Sequence, residues 1–352
     1  MAEKMMVKGN EAMAEAAVRS GCRLYFGYPI TPQSEFTEYM ARRMPEVNGV
    51  FLQSESEVAA VNMVYGAACT GHRVMTSTSS PGFSLMQEGV SYIAGARLPT
   101  VFVNVVRGGP GLGDIQPAQS DYFQSTKGGG HGDYHLIVLA PGSIQEAVDL
   151  MESAFNLADT YRVPVMMLAD GMLGQMMEPV VFPDFVELEG INDHSDWGLR
   201  GMEGREPHKV TSFDIDPVKL EEMNIVVHKS YEEIKANEVR FETSNLEDAE
   251  YVLVGYGTMG RILGSVVKTA RKQGIRVGLF RPISLWPFPY SELKTATKGK
   301  KFCLDVEMST GQMVEDVRLS VEGALPIHFY GRTGGMVPTP DEVLKELVRL
   351  IG

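Results

Sequence analysis

Short apolar runs alternate with amphipathic stretches along most of the chain. Leu24–Gly27, Val50–Gln53, Arg73–Thr78, Thr100–Val106, Leu136–Leu139 and Pro164–Leu168 have the length and residue types of strands. Between them, Glu11–Arg19, Ser34–Met44, Val58–Thr70, Phe83–Ala94 and Ile144–Thr160 carry helical spacing, with Asn10 placed to cap the first helix. Strand and helix in regular alternation predict an α/β domain with a doubly wound parallel sheet over residues 1–183. The turn Tyr28-Pro29-Ile30-Thr31-Pro32 sits where a strand gives way to a helix, with Thr31 and Pro32 as N-cap and first-turn residues.

The same alternation resumes over residues 248–352. Strands are expected at Tyr251–Val254, Arg276–Phe280, Lys301–Val306 and Pro326–Phe329, and helices at Thr258–Lys272, Tyr290–Thr297, Met313–Glu322 and Pro340–Ile351. Residues 184–247 between the two units lack clear periodicity and read as an acidic linker or small excursion. Of the formal charge of −13, most falls in this middle part. A net-acidic chain without a long Lys/Arg run argues against nucleic-acid binding. At 352 residues with 44% hydrophobic composition, there is material for conventional cores in two or three domains. No apolar run approaches bilayer length and the first residues lack the core of a signal peptide, so no membrane association and a cytoplasmic location are expected. Cys22, Cys69 and Cys303 are dispersed, which leaves neither a disulfide framework nor four cysteines for a resident iron–sulfur cluster.

Two segments attract chemical attention. Arg107 opens a long loop, RGGPGLGDIQPAQSDYFQSTKGGGHGDYH, beyond the C-terminal end of a strand, where open parallel sheets bind ligands. Within it His131, Asp133 and His135 alternate, but they share a face only in extended chain and no fourth ligand is near, so no metal is expected. The second segment is Gly255-Tyr256-Gly257-Thr258-Met259-Gly260, a GxGxxG between strand and helix, with Arg281 ending the next strand where an NADP 2′-phosphate is met. That would make the chain an NADP-linked oxidoreductase. No acidic residue closes that second strand, however, and Arg281–Pro289 is rich in proline and aromatics; the glycines then serve a tight turn and close helix packing. The 21 methionines suit cores or subunit contacts.

Longer motifs carry a family resemblance. GNEAMAEAAVRSGCRLYFGYPITPQSE, QSESEVAAVNMVYGAACTGHRVMTSTSSPG and the Arg107 loop, followed by VGYGTMG, RPISLWPFP and YGRTGG, resemble the alpha subunit of the 2-oxoacid:ferredoxin oxidoreductases, most nearly the branched-chain, 2-ketoisovalerate type. The resemblance implies a pyrimidine-type thiamine diphosphate-binding domain followed by a transketolase C-terminal-like domain. It also implies an assembly: a beta subunit with the diphosphate and Mg²⁺ site and an iron–sulfur centre, gamma and/or ferredoxin-like delta subunits, [4Fe-4S] clusters on those partners, and ferredoxin as acceptor. Coenzyme A is the implied co-substrate. The chain lacks the GDG-plus-Asn pattern of a diphosphate site, in keeping with that division of labour.

The chemistry of thiamine calls for a carboxylate at the aminopyrimidine ring. Glu55 and Glu57 are available, and the family's spacing of nine residues to a glycine selects Glu57 through Gly66. A plain structural role is open too, because any first-turn Glu favours a helix N-terminus. By the same resemblance Tyr28, Pro29 and Ile30 border the cofactor, Thr31 contacts the substrate and Arg107 binds its carboxylate through a two-donor fork. Thr31 is left with a capping role, a substrate role or both; His131 is a further substrate contact at the site's mouth. The implied reaction is oxidative decarboxylation of 3-methyl-2-oxobutanoate to acyl-CoA, carbon dioxide and reduced ferredoxin, with the isolated chain inactive. 2-Oxoglutarate, pyruvate and indolepyruvate are alternative substrates. A non-catalytic interaction subunit is the remaining reading.

Overall fold

The computed structural model describes residues 4–189, 191, 194 and 196–352; residues 1–3, within the expected first domain, and 190, 192, 193 and 195, within the expected acidic segment, lie outside the described residues. In the first part the elements run β1 (Met5–Lys8), α1 (Gly9–Arg19), β2 (Leu24–Gly27), α2 (Ser34–Glu46), β3 (Val50–Gln53), α3 (Glu57–Ala68), β4 (Val74–Thr78), α4 (Pro81–Gly95), β5 (Thr100–Val106), α5 (Tyr122–Thr126), β6 (Ile137–Leu139), α6 (Ile144–Tyr161), β7 (Pro164–Asp170), α7 (Gly171–Gln175) and β8 (Met177–Val180). Strands β4, β5 and β7 are buried along their whole length, which explains why β5 and β7 are mainly apolar runs without in–out alternation, while β4 buries the hydroxyls of Thr76, Ser77 and Thr78. Ser56 and Ser143 cap α3 and α6 by accepting from Ala59 N and Glu146 N, as short polar residues before an apolar period are expected to do.

Asn10 does not cap α1. The helix begins one residue earlier, and Asn10 is buried inside it, donating to Pro32 O at 2.7 Å and to Glu35 at 3.2 Å. Gly9 is required at the start, because a Cβ there would lie 1.9 Å from Leu173 O. Thr31 does not cap α2 either: that helix starts at Ser34 with Gln33 in the cap position, two residues after Thr31 and without a side-chain cap.

The remainder holds α8 (Pro217–Asn237), β9 (Phe241–Ser244), β10 (Tyr251–Val254), α9 (Gly257–Lys272), β11 (Val277–Pro282), β12 (Ser284–Trp286), α10 (Tyr290–Thr297), β13 (Phe302–Glu307), α11 (Met313–Val321), β14 (Ile327–Gly331) and α12 (Pro340–Ile351). The stretch 184–247, expected to be an acidic linker or excursion, thus contains a 21-residue helix capped by Asp216. Helix α8 buries Val227, Tyr231 and Ile234, a stripe at helical spacing, and Tyr231 exchanges hydrogen bonds with the backbone of His135.

Two larger sheets result. One has the order β12-β6-β7-β5-β4-β2-β3, the other β14-β13-β10-β11-β9, and β1 pairs with β8 in a small antiparallel ribbon. The large sheet is parallel except for β12, which arrives from the second half of the chain and pairs antiparallel with β6. The Pro- and aromatic-rich run after Arg281 is therefore a clasp between the two sheets: Ala140 N donates to Ile283 O at 2.8 Å, and Trp286 stacks on His135 at 4.6 Å.

Candidate active site

In the large sheet the chain moves outward from β2 to β3, then returns to place β4 on the other side of β2. Such a reversal opens a crevice beyond the carboxyl ends of the two diverging strands, the place where open α/β sheets bind ligands. The segments that border it are Tyr28–Pro32 after β2, Ser54–Glu57 after β3 and Ser79–Gly82 after β4.

Glu57 is the first residue of α3, at the positive end of the helix dipole, and it is 5% exposed, whereas Glu55 points into solvent. Its carboxylate lies over Gly82 in the first turn of α4. A Cβ at that glycine would stand 2.5 Å from Glu57 Oε1 and 2.1 Å from Thr78 Oγ1, so the absence of a side chain there makes room for both. The hydroxyls of Thr78 and Ser79 are buried without a hydrogen-bond partner among the described residues. Buried polar atoms are nearly always satisfied, so their clustering at the switch point marks a place prepared for a polar ligand. Ser80 holds a left-handed backbone (φ 23°), and its amide donates to Asn104 Oδ1 at 2.9 Å. Local strain of this kind tends to collect at functional turns.

Thr31 and Arg107 are brought together, but through the backbone: Arg107 Nη1 donates to Thr31 O at 2.9 Å and Nη2 to Leu112 O at 3.0 Å. Two donors of the guanidinium thus hold carbonyls, and Nε is buried without a partner among the described residues. The Arg107 amide donates to Ser80 Oγ at 3.0 Å, which ties the end of β5 to the end of β4. Arg107, Ser80 and Asp121 line a cavity of about 660 Å³ with Ser309 and Gln312 of the second half. Burial raises the Asp121 carboxyl above its ordinary value, countered in part by hydrogen bonds from Ser80 and Asn104. Thr31 is exposed and lines a separate groove to which Arg107 does not contribute.

Of the other expected residues, Tyr28 and Pro29 are exposed and Ile30 is half-buried at the crevice. His131 lines neither the Arg107 cavity nor the Thr31 groove; it borders a third cavity with Tyr65, Tyr92 and Tyr134, its ring edge-on to Tyr92. Gln33 is a residue that sequence reasoning missed. Its buried amide oxygen accepts from Ser77 at 2.8 Å and Thr37 at 3.1 Å, and its Nε2 donates to Tyr28 O at 3.2 Å, pinning the turn after β2 onto β4. The run Thr76-Ser77-Thr78, three hydroxyls in a strand buried along its whole length, was the available signal.

The GxGxxG segment is occupied by the protein itself. Arg281 donates to Glu146 and Glu242 in four hydrogen bonds of 2.7–2.9 Å, so the cation placed for a 2′-phosphate is saturated by carboxylates. A Cβ on Gly260 would lie 2.3 Å from Arg281 Cδ; the third glycine admits the arginine stem. Among the described residues no group of three or more His, Cys, Asp or Glu is placed to hold a metal ion, and no helix is long and apolar enough to cross a membrane. The three cysteines are buried and free, with burial pushing the Cys22 and Cys303 thiols up to about 12.

A doubly wound sheet with a buried carboxylate at its switch point, joined to a second α/β unit, defines an α/β protein with a ligand site beyond its strand ends. Residues 15–240 match the family model described as pyruvate flavodoxin/ferredoxin oxidoreductase, thiamine diphosphate-binding, and residues 249–343 match pyruvate:ferredoxin oxidoreductase core domain II. The chain belongs to this 2-oxoacid:ferredoxin oxidoreductase family. It is 49% identical to the ketoisovalerate oxidoreductase subunit VorB of Methanothermobacter marburgensis, over 99% of this chain and 98% of that one. The 2-oxoglutarate synthase subunit KorA of Methanothermobacter thermautotrophicus is 35% identical, over 99% and 100%. In fold, the chain matches the solved 2-oxoglutarate:ferredoxin oxidoreductase from Magnetococcus marinus with a TM-score of 0.89 at 24% identity; the match takes in all of this chain and 66% of that one.

Proposed function

We propose that this chain is the alpha-type subunit of a coenzyme A-dependent 2-oxoacid:ferredoxin oxidoreductase whose substrate is 3-methyl-2-oxobutanoate. The observation that carries the reading is the Glu57 carboxylate, buried at the sheet's switch point above the side-chain-free Gly82. The ketoisovalerate relatives support the choice of substrate. The partnerless hydroxyls of Thr78 and Ser79, beside a buried carboxylate seated over Gly82, fit a polar heteroaromatic ring, so Glu57 with the turn Tyr28–Ile30 would hold the aminopyrimidine of thiamine diphosphate. When bound, that cofactor supplies a nucleophilic carbon and an electron sink for decarboxylation of 2-oxo acids.

The rest of the mechanism belongs to the chain's own groups. Glu57 would hold a proton at a nitrogen of the aminopyrimidine when the cofactor is bound, and its burial would keep water from competing for that hydrogen bond. Arg107 would attract the substrate carboxylate through its charge at the edge of its cavity, while Nη1 fixes the Thr31 carbonyl and Nη2 that of Leu112, which holds the exposed Thr31 in place for a substrate contact. The relatives carry subunit names, in keeping with partner chains. A beta-type partner supplies the diphosphate and Mg²⁺ site, and further partners the [4Fe-4S] centres that pass electrons to ferredoxin.

The test is anaerobic viologen reduction by the native assembly with coenzyme A and 3-methyl-2-oxobutanoate, beside the same assembly carrying Glu57→Gln. A fall in kcat of about 10²–10⁴-fold is expected. Retention of wild-type turnover by Glu57→Gln, or turnover that ignores coenzyme A, rejects the reading.

A further inference from the structure

We propose that the groove beside Thr31 receives the alkyl group of the 2-oxo acid, and that Ile115 and Met172 in its wall set which acid is used. This rests on the function just proposed and adds the residues that discriminate between substrates. The groove, about 760 Å³, runs between the turn after β2, the loop that follows Arg107, α7 and the second half's Gly335 and Val337. Its wall is mainly apolar, with Pro32, Ile115, Pro117, Met172, Met176 and Val337. Such a wall with a hydroxyl at one end is the usual composition of a site for a small, largely apolar molecule.

Ile115 is held in place rather than left on a free tip. Gly108 N donates to Gln116 O at 2.9 Å, Asp114 N to Gly108 O at 3.0 Å, and Gln116 N to Asp114 Oδ1 at 2.9 Å, which closes the loop on itself on either side of Ile115. Met172 is set by Asp170, whose carboxylate caps α7 by accepting from Met172 N at 2.9 Å and Leu173 N at 3.1 Å. Ile115 is nevertheless 54% exposed and Met172 36% exposed, two large apolar side chains fixed at the edge of one groove.

Charge decides the class of substrate. No Lys, Arg or His lines the groove among the described residues, and its single ionisable side chain is Glu35. The Glu35 carboxylate is already engaged by Lys8 at 3.1 Å, Gln175 at 2.8 Å and Asn10 at 3.2 Å. A dicarboxylic 2-oxo acid would bring its distal carboxylate to a mainly apolar wall whose one charge, Glu35, is already paired with Lys8, so no unpaired cation lines the groove to receive it. A branched aliphatic side chain meets Ile115 and Met172 instead. Thr31 is shared by the Arg107 contact and this wall: its carbonyl is held by Arg107, and the residue itself borders the wall.

The experiment uses the assembled complex with all partners and coenzyme A, and reads kcat/KM for 3-methyl-2-oxobutanoate, pyruvate and 2-oxoglutarate. Ile115→Arg is expected to raise the 2-oxoglutarate to 3-methyl-2-oxobutanoate ratio about tenfold or more, and Met172→Ala to lower the 3-methyl-2-oxobutanoate to pyruvate ratio about tenfold, the scale of one or two buried methylenes. Should Ile115→Arg fail to assemble, Ile115→Asn takes its place and is expected to lower the branched-chain to pyruvate ratio in the same sense. Ratios within about twofold of wild type, in complexes that turn over, overturn the inference while leaving the function standing. A wild-type complex inactive on all three acids overturns the function, and the inference with it.

Discussion

Two strand-to-helix junctions of this chain use glycine in the same way and to opposite ends. At Thr78–Gly82, between β4 and α4, the missing side chain admits the carboxylate of Glu57; at Val254–Gly260, between β10 and α9, it admits the stem of Arg281. Around the first, the Thr78 and Ser79 hydroxyls have no partner and no ion pair to Glu57 is found among the described residues. Around the second, Arg281 spends four hydrogen bonds on Glu146 and Glu242. The junction that looks like a nucleotide motif is chemically closed, and the one without a glycine signature is open. Unsatisfied polarity, rather than glycine spacing, distinguishes a ligand site from a packing device.

Substitutions at matched positions sharpen the contrast. The largest effect is expected from Glu57→Gln, against which exposed Glu55→Gln in the same assembly should leave kcat at wild type. Next comes Gly82→Ala, whose Cβ would meet Glu57 Oε1 and Thr78 Oγ1: displacing that carboxylate by about 1 Å is expected to lower kcat about 10²-fold. Gly260→Ala, its counterpart, is expected to cost about 1–3 kcal/mol in urea unfolding as the Arg281 stem is pushed aside, with kcat/KM retained. Arg281→Met removes the partner of Glu146 and Glu242; because Glu242 is half-exposed, the loss is expected near 2 kcal/mol rather than the full value for a buried pair. Titration calorimetry with NADP should give no binding to the wild-type chain; measurable affinity would dissolve the comparison.

The smallest effect is a pH dependence. Burial, with Lys235 adding to it, lowers His135 to about 4 between Trp286 and Tyr231. The unfolded chain takes up this proton below about 6.5 and the folded chain only near 4. The stabilising contribution is thus complete above pH 6.5 and is lost as pH falls toward 4. Unfolding free energies for His135→Phe across that range should show a shallower acid limb than wild type.

Much of the doubly wound framework could be read from the chain, because β4, β5 and β7 are long buried runs and serines mark the starts of α3 and α6. Helix α8 escaped because three buried residues in 21 leave too thin a stripe to stand out from acidic surroundings. Asn10 and Thr31 looked like caps since capping residues and buried polar residues share the same chemistry, and only the exact helix starts separate them. The spacing from Glu57 to Gly66 is visible in sequence; that Glu57 is buried and Glu55 exposed is not. Nor could the hydrogen bond from Arg107 to Thr31 O have been anticipated, because it crosses from the end of β5 to the end of β2 over 76 residues.

The strand that β12 lends to the large sheet has a consequence for how the protein is made. Residues 137–139 leave the ribosome well before residues 284–286, which at about 5–20 residues per second is a delay on the order of ten seconds. Throughout that interval one side of β6 has no neighbour, and an apolar strand with bare amides invites pairing with other nascent chains. Completion of the first sheet therefore waits on the second half of the polypeptide. A chain cut between the two sheets would leave Ile137–Leu139 without its β12 neighbour, an adhesive edge, so the two halves depend on each other for folding.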